Sequence, residues 1–311
     1  MSAQAAGPLC APLTMSLAER AARYFDFAAL GTNWRTEILA GVTTFVTMAY
    51  IIFVNPSILH EAGLPAAGVT AATCLAAALG SILMGAFARY PIALAPGMGL
   101  NAYFTYSVVK GMGVDWHIAL GAVFISGVAF LILTAAGIRQ MIVNAIPHEL
   151  YSAVAAGVGL FIALIGFRNA GIIVPSQATL VSLGNLHSAS TLLALFGLLV
   201  MAVLLCVGFR AAILAGVVAT WLLAAVTGAI DWHPQPYSIR DISSTAFQLD
   251  IRGALHLGLL DIVFAFLFVD LFDNIGTLLA VGKKAKLFDN AGSVPRLNRI
   301  LYGDAIATVT G

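Results

Sequence analysis

Apolar residues in this chain come in runs of about twenty, separated by short polar stretches that hold most of the charges. A bilayer core of ~30 Å takes about 20 apolar residues of helix, so the pattern predicts a series of spans. The first covers Ile38 to Leu59 and closes at Asn55-Pro56. The second covers Val69 to Phe87, and the third, Ile92 to Val109, is interrupted by Pro96, Gly97 and Gly99. A fourth runs from His117 to Ala136, a fifth from Tyr151 to Phe167, a sixth from Thr191 to Val207 and a seventh from Ala211 to Ile230. A polar stretch, Asp231 to Leu255, precedes an eighth span over Gly258 to Val281. A ninth begins near Ile300 and reaches Gly311 too soon to span a bilayer, so the chain reads as truncated, with Met15 an alternative start to Met1.

Basic residues test this count, because cytoplasmic loops of membrane proteins carry the excess of Lys and Arg. The N-terminus and the connections after even-numbered spans hold Arg20, Arg23, Arg35, Arg89, Arg139, Arg210, Lys283, Lys284, Lys286, Arg296 and Arg299. The other connections hold only Lys110, Arg168, Arg240 and Arg252. The eleven-to-four split predicts a cytoplasmic N-terminus and puts the polar stretch before the eighth span outside the cell.

Composition narrows the class further. With 60% hydrophobic and 9% charged residues, against roughly 25% charged in soluble domains, the chain is an all-α polytopic membrane protein. A net charge of +1 offers nothing to nucleic acid. Cys10, Cys74 and Cys206 are odd in number and far apart, which excludes a disulfide framework. The six histidines stand singly in connections or near helix ends, so no metal site is expected. Without a metal cluster or an activated nucleophile, no catalytic residue and no enzyme activity are expected. The N-terminus has no basic segment leading into a cleavable apolar core.

Candidate chemistry gathers in two spans. Phe264 to Leu279, FAFLFVDLFDNIGTLL, carries Asp270, Asp273 and Thr277 on one helical face. A carboxylate at the centre of a spanning helix costs about 2.5–3.5 kcal/mol on insertion scales. The basic residues all sit at span ends, so a structural ion pair is the weaker explanation and a site or ion pathway the stronger. The third span, YPIALAPGMGLNAYFTYSVV, fits a short extended segment feeding a half-helix, whose N-terminal N–H groups and Asn101 would face a ligand. A Pro-kinked packing helix fits the same residues. Asp304 and Asp261 read as ordinary acids at helix starts. Gly157 to Gly166 in the fifth span, with Ala153, Ala155 and Ala156, reads as a close helix-packing face.

Together GVTTFVTMAYIIFVNPSIL, APGMGLNAYFTY and FVDLFDNIGTL resemble the nucleobase–cation symporter-2 superfamily, and within it the AzgA-like adenine, guanine and hypoxanthine permeases. The resemblance extends from Leu17 to Gly311 and includes IPHELYSAVAAGVGLFIALIGFRNAGII and GDAIATVTG. It implies fourteen helices in two inverted repeats of seven, divided into core and gate domains, with helix 3 broken and preceded by a short strand. On that plan residues 1–36 form a cytoplasmic segment and 37–136 hold helices 1–4 of the core. Residues 145–230 hold helices 5–7 of the gate, 231–256 form an extracytoplasmic loop, and 257–311 hold helix 8 and the start of helix 9.

The resemblance further implies a proton-coupled importer of purine bases in the cytoplasmic (inner) membrane, a homodimer in the lipid bilayer, needing no cofactor beyond the coupling proton. Asp273 would bind the base with Asn101, Gly99, Leu100 and Thr277, and Asp273, Asp304 and Asp270 would bear on proton coupling. A further binding acid of the family, on its tenth helix, falls beyond Gly311. A carboxylate accepts from purine N–H groups, while an amide and half-helix N–H groups serve the ring nitrogens and carbonyls. Uracil or xanthine in the same superfold, or a non-transporting fragment, are the alternatives. An acid facing the ligand argues against anion carriers.

Overall fold

The computed structural model describes residues 17–27, 31–137, 141, 148–177, 179–229, 245–256, 260–284 and 297–310. Several of the helices start where a capping side chain or a proline precedes an apolar run. Helix α1 (Leu17–Tyr24) lies ahead of α2 (Trp34–Met48), where Asn33 caps the backbone N–H of Thr36 at 3.0 Å. Then come α3 (Ile51–His60) and α4 (Ala66–Leu83), the latter entered through Pro65 and prolonged by a π-helical turn, Met84–Ala88. Residues 90–97 form neither helix nor sheet, with Gly97 at their end in an extended conformation. Helix α5 starts at Met98–Ala102, widens to a π-helical stretch over Tyr103–Val109, and ends at Lys110–Met112 before Gly113 in the left-handed region.

Asp115 caps α6 (Trp116–Ala135), and α7 (His148–Asn169) leads into a small antiparallel hairpin, β1 (Ile173–Ser176) and β2 (Leu180–Leu183), registered Ile173 to Leu183. Ser188 caps α8 (Ala189–Cys206), which packs on α9 (Ala212–Val226). The short α10 (Ile251–His256), α11 (Leu260–Lys284) and α12 (Leu297–Thr310) complete the described chain.

Several expectations change. The first span does not close at Pro56: the helix passes through it, and the break falls earlier, at Ala49 and Tyr50. Tight bonds from Ile52 N to Ala49 O and Phe53 N to Tyr50 O mark the kink. A proline removes one ladder donor and crowds the preceding turn, so the chain bends upstream of it. Nor is the broken third span preceded by a strand, since residues 90–97 have no sheet partner among the described residues. Hydroxyls serve that backbone instead: Ala93 N donates to Thr44 Oγ1 at 3.2 Å and Leu94 N to Ser81 Oγ at 3.1 Å, while Ser81 donates back to Leu94 O.

Among the described residues nothing packs against the glycines of α7. A β-carbon on Gly157, Gly159 or Gly166 would meet nothing within 4 Å.

The core sits between α3 and α4, α5, α6, α10 and α11, with Val69, Phe104, Val108, Ala119, Ala122 and Phe266 in one buried cluster. Small residues let the elements close up: a β-carbon on Gly121 of α6 would stand 2.3 Å from the Asp250 carbonyl at the entry to α10. Ile38, Phe45, Phe53, Leu79, Ile82 and Leu199 are exposed on the outside, an apolar surface far beyond what water tolerates. Among the described residues, Trp34–His60, Ala66–Ala88, Trp116–Ala135 and Ala189–Cys206 are long and apolar enough to cross a membrane. The protein is a mostly helical, polytopic membrane protein.

Candidate functional site

A cavity of about 280 Å³ opens where the segment before α5 meets that helix, just below the ~300–1,000 Å³ usual for small-molecule sites. Its walls come from α3, α4, residues 94–97, α5, α6, α11 and α12. Most of the lining is apolar. Its polar members are Asn55, Thr73, Asn101, Thr245, Asp270, Asp304 and Thr308, and no lysine or arginine joins them among the described residues.

Local packing brings the acids in. Phe266 is fully buried against Tyr103, ring centroids 5.4 Å apart and edge to face. Asp270, one turn further along α11, therefore faces the same way and lines the cavity. On α12, Ile300, Leu301 and Ala305 are buried, and Asp304 shares that face at 8% exposure. The cap reading of Asp304 fails: the helix starts at Leu297, roughly two turns earlier, so this carboxyl sits mid-helix in the cavity wall. Asp261 does lie in the first turn of α11, exposed.

Asp273 is not among the lining residues but meets the same wall from α11. A β-carbon on Gly97 would stand 2.5 Å from its Oδ2. Gly97 is the residue before the first turn of α5, so the carboxylate lies at the positive, N–H-rich end of that helix. Asp304 and Tyr50 are both within electrostatic reach of it.

Of the other residues singled out from sequence, Asn101 and Leu100 line the cavity, while Gly99 is buried in the first turn of α5. Thr277 falls on α11 at a position whose side chain lies outside the described residues. The sequence reading missed Asn55 and Thr73, which are buried, hydrogen-bonded to each other and joined to Asn101. The signal was available: both are polar residues within apolar spans, but Asn55 beside Pro56 read as a helix end.

A second polar cluster ties three helices together at the end of α3. Glu61 accepts from Lys110 Nζ, from Tyr106 Oη at 2.9 Å and from Asn169 Nδ2 at 3.2 Å. Burial pushes the Glu61 carboxyl up, but these hydrogen bonds and the charge of Lys110 outweigh it and hold the group below its usual value of 4.5.

Extended backbone, a half-helix and facing carboxylates at one apolar cavity are what a solute carrier builds at mid-membrane. Residues 35–311 match the sequence model of the Permease family. The chain belongs to that family. Its relatives include a Methanocaldococcus jannaschii protein named no further than as a permease, 54% identical over 93% of this chain and 66% of that one. An adenine permease of Escherichia coli is 43% identical over 93% of this chain and 65% of its own length. A guanine/hypoxanthine permease of Bacillus subtilis is 41% identical over 90% and 66%. This permease chain thus spans just under two-thirds of the length of these three relatives.

Proposed function

We propose that the protein is a secondary transporter importing purine nucleobases (adenine, guanine and hypoxanthine) and that it is not an enzyme. The observation that carries this reading is the cavity whose wall combines Asn101 at the start of α5 with Asp270 and Asp304. These groups accept hydrogen bonds, as N–H-bearing bases require, and acids without a lysine or arginine among the described lining residues make an anionic solute a poor fit. The names of the adenine and guanine/hypoxanthine permeases support the same class.

In this reading Asp273, Asn101, Gly99, Leu100 and Thr277 form the base site, and Asp273, Asp304 and Asp270 exchange the coupling proton. Asp270 and Asp304 border the cavity itself, which favours giving them a larger part in contact with the base than sequence alone suggested. The protein would lie in the inner membrane with its N-terminus in the cytoplasm, as a homodimer. Each protomer would have two inverted repeats of seven helices, helices 1–4 in a core that moves against the gate of helices 5–7 to alternate access.

Reconstituted into proteoliposomes, the complete protein should accumulate labelled adenine or hypoxanthine faster under an inward proton gradient. Equal uptake with and without the gradient removes the coupling. Uptake of neither base removes the substrate class. Asp273→Asn should abolish uptake in a protein that still inserts.

A further inference from the structure

Asn55 and Thr73, each 3% exposed, stand in one hydrogen-bonded line with Asn101, and the direction of that line is dictated from one end. Thr73 Oγ1 lies 2.7 Å from the carbonyl oxygen of Val69. A carbonyl cannot donate, so the single hydroxyl proton is committed there and the Thr73 oxygen can only accept. Its other neighbour, Asn55 Nδ2 at 2.8 Å, must therefore be the amide nitrogen, which turns the Asn55 oxygen toward Asn101. That oxygen accepts in turn from Asn101 Nδ2 at 2.5 Å. Amide orientation is ordinarily ambiguous from heavy-atom positions, but here a backbone carbonyl settles it along the whole chain.

Asn101 lines the cavity with its amide nitrogen anchored on Asn55 through one N–H, which fixes the carbonyl oxygen on the other side of the amide and leaves that oxygen and the second N–H for a ligand. We propose that Asn55 and Thr73 are positioning residues that fix the hydrogen-bond polarity of the site, holding Asn101 as an acceptor toward the bound base. This rests on reading the cavity as a purine site and adds how that site chooses. Opposite the Asn101 oxygen the base must present an N–H, from a ring nitrogen or an exocyclic amine, and a bare ring nitrogen or a carbonyl placed there would be unmatched. Asp270 and Asp304 on the same wall can likewise accept, so the cavity favours an edge rich in N–H groups. Turning the Asn101 amide round would set its oxygen against the Asn55 oxygen, or reverse Asn55 and set the Asn55 oxygen against a Thr73 hydroxyl whose proton is already committed to Val69. Both alternatives leave buried polar groups unmatched, at a cost the native orientation avoids.

The test uses the complete protein in proteoliposomes, with inhibition of labelled adenine uptake by adenine, by unsubstituted purine (no exocyclic amine) and by 9-methyladenine (no ring N–H). In the native protein at least one analogue should bind about 10- to 100-fold more weakly than adenine. Thr73→Val removes the anchoring hydroxyl and frees both amides to turn, so that ratio should fall to within about threefold. Thr73→Ser should restore it. Asn55→Ala unties Asn101 from the other side and carries the same expectation. A native ratio in either Thr73→Val or Asn55→Ala overturns the proposal, as does a native protein that treats all three compounds alike. Failure of both variants to insert, with Thr73→Ser normal, also overturns it, because the line would then be structural. If the native protein takes up no purine base, the reading of the site fails first. If it does but selectivity ignores Thr73, only the positioning role fails.

Discussion

Gly97 and Asp273 are in such close approach that a single added carbon would not fit between them: a β-carbon at residue 97 would stand 2.5 Å from Asp273 Oδ2. The backbone of Gly97, at φ −70 and ψ 120, is one that any residue adopts. Glycine is required here for space and not for conformation. Gly97→Ala should therefore push the carboxylate off the end of α5 and lower base uptake about tenfold or more, while the protein still inserts. On an Asp273→Ala background the same substitution should cost little further, since the two residues act through one contact. Initial uptake rates for the two single variants and the double variant check this.

Glu61 predicts a pH dependence. Its carboxyl is held below the usual value by Lys110, Tyr106 and Asn169, so the folded protein favours the ionised form. The stabilisation is complete above the unfolded value, near 4.5, and is lost as pH falls through the lower folded value. With its side chain a third exposed, the ion pair is worth little by itself. Glu61→Gln should lower the melting temperature of the purified protein by at most a few degrees at pH 7. The difference should close as pH falls below about 4.5. A gap that persists to pH 3 would locate the effect in packing and not in the charge.

Gly121 offers a stability test away from the cavity acids. A β-carbon there would stand 2.3 Å from the Asp250 carbonyl oxygen and 2.7 Å from its carbon. These are backbone atoms, and Asp250 N is itself bonded to His117 O at 2.9 Å, so the segment leading into α10 must shift as a unit. Gly121→Ala should destabilise by about 1–3 kcal/mol, as overpacked cores do. Thermal unfolding in detergent would measure it, and an unchanged midpoint would mean that the segment moves freely.

The helical organisation was legible because spans announce themselves as apolar runs, and the Pro96–Gly99 interruption because prolines and glycines cannot continue a ladder. Residues whose meaning depends on neighbours distant in sequence were not legible. Asn55 reads as the end of a helix until Thr73, on the next helix, is seen to accept its amide proton. Asp304 reads as a cap until the helix is found to begin at Leu297. The glycines of α7 look like a packing face, yet such a face packs only where a partner helix lies against it. The β1–β2 hairpin escaped notice because two four-residue strands leave too short an alternation to stand out beside long apolar helices.

Asp304 separates binding from coupling. Its carboxyl is 8% exposed, lines the cavity, and bears electrostatically on Asp273 across the gap between α12 and α11. Asn replaces Asp with nearly the same shape and no titration. If Asp304 takes part in proton exchange, Asp304→Asn should leave base exchange between equal inside and outside pools within about threefold of native, while gradient-driven accumulation falls at least tenfold. If it mainly contacts the base, exchange and accumulation should fall together, with a higher KM. Measuring counterflow and gradient-driven uptake on the same vesicles distinguishes the two, and native accumulation by the variant would remove Asp304 from both roles.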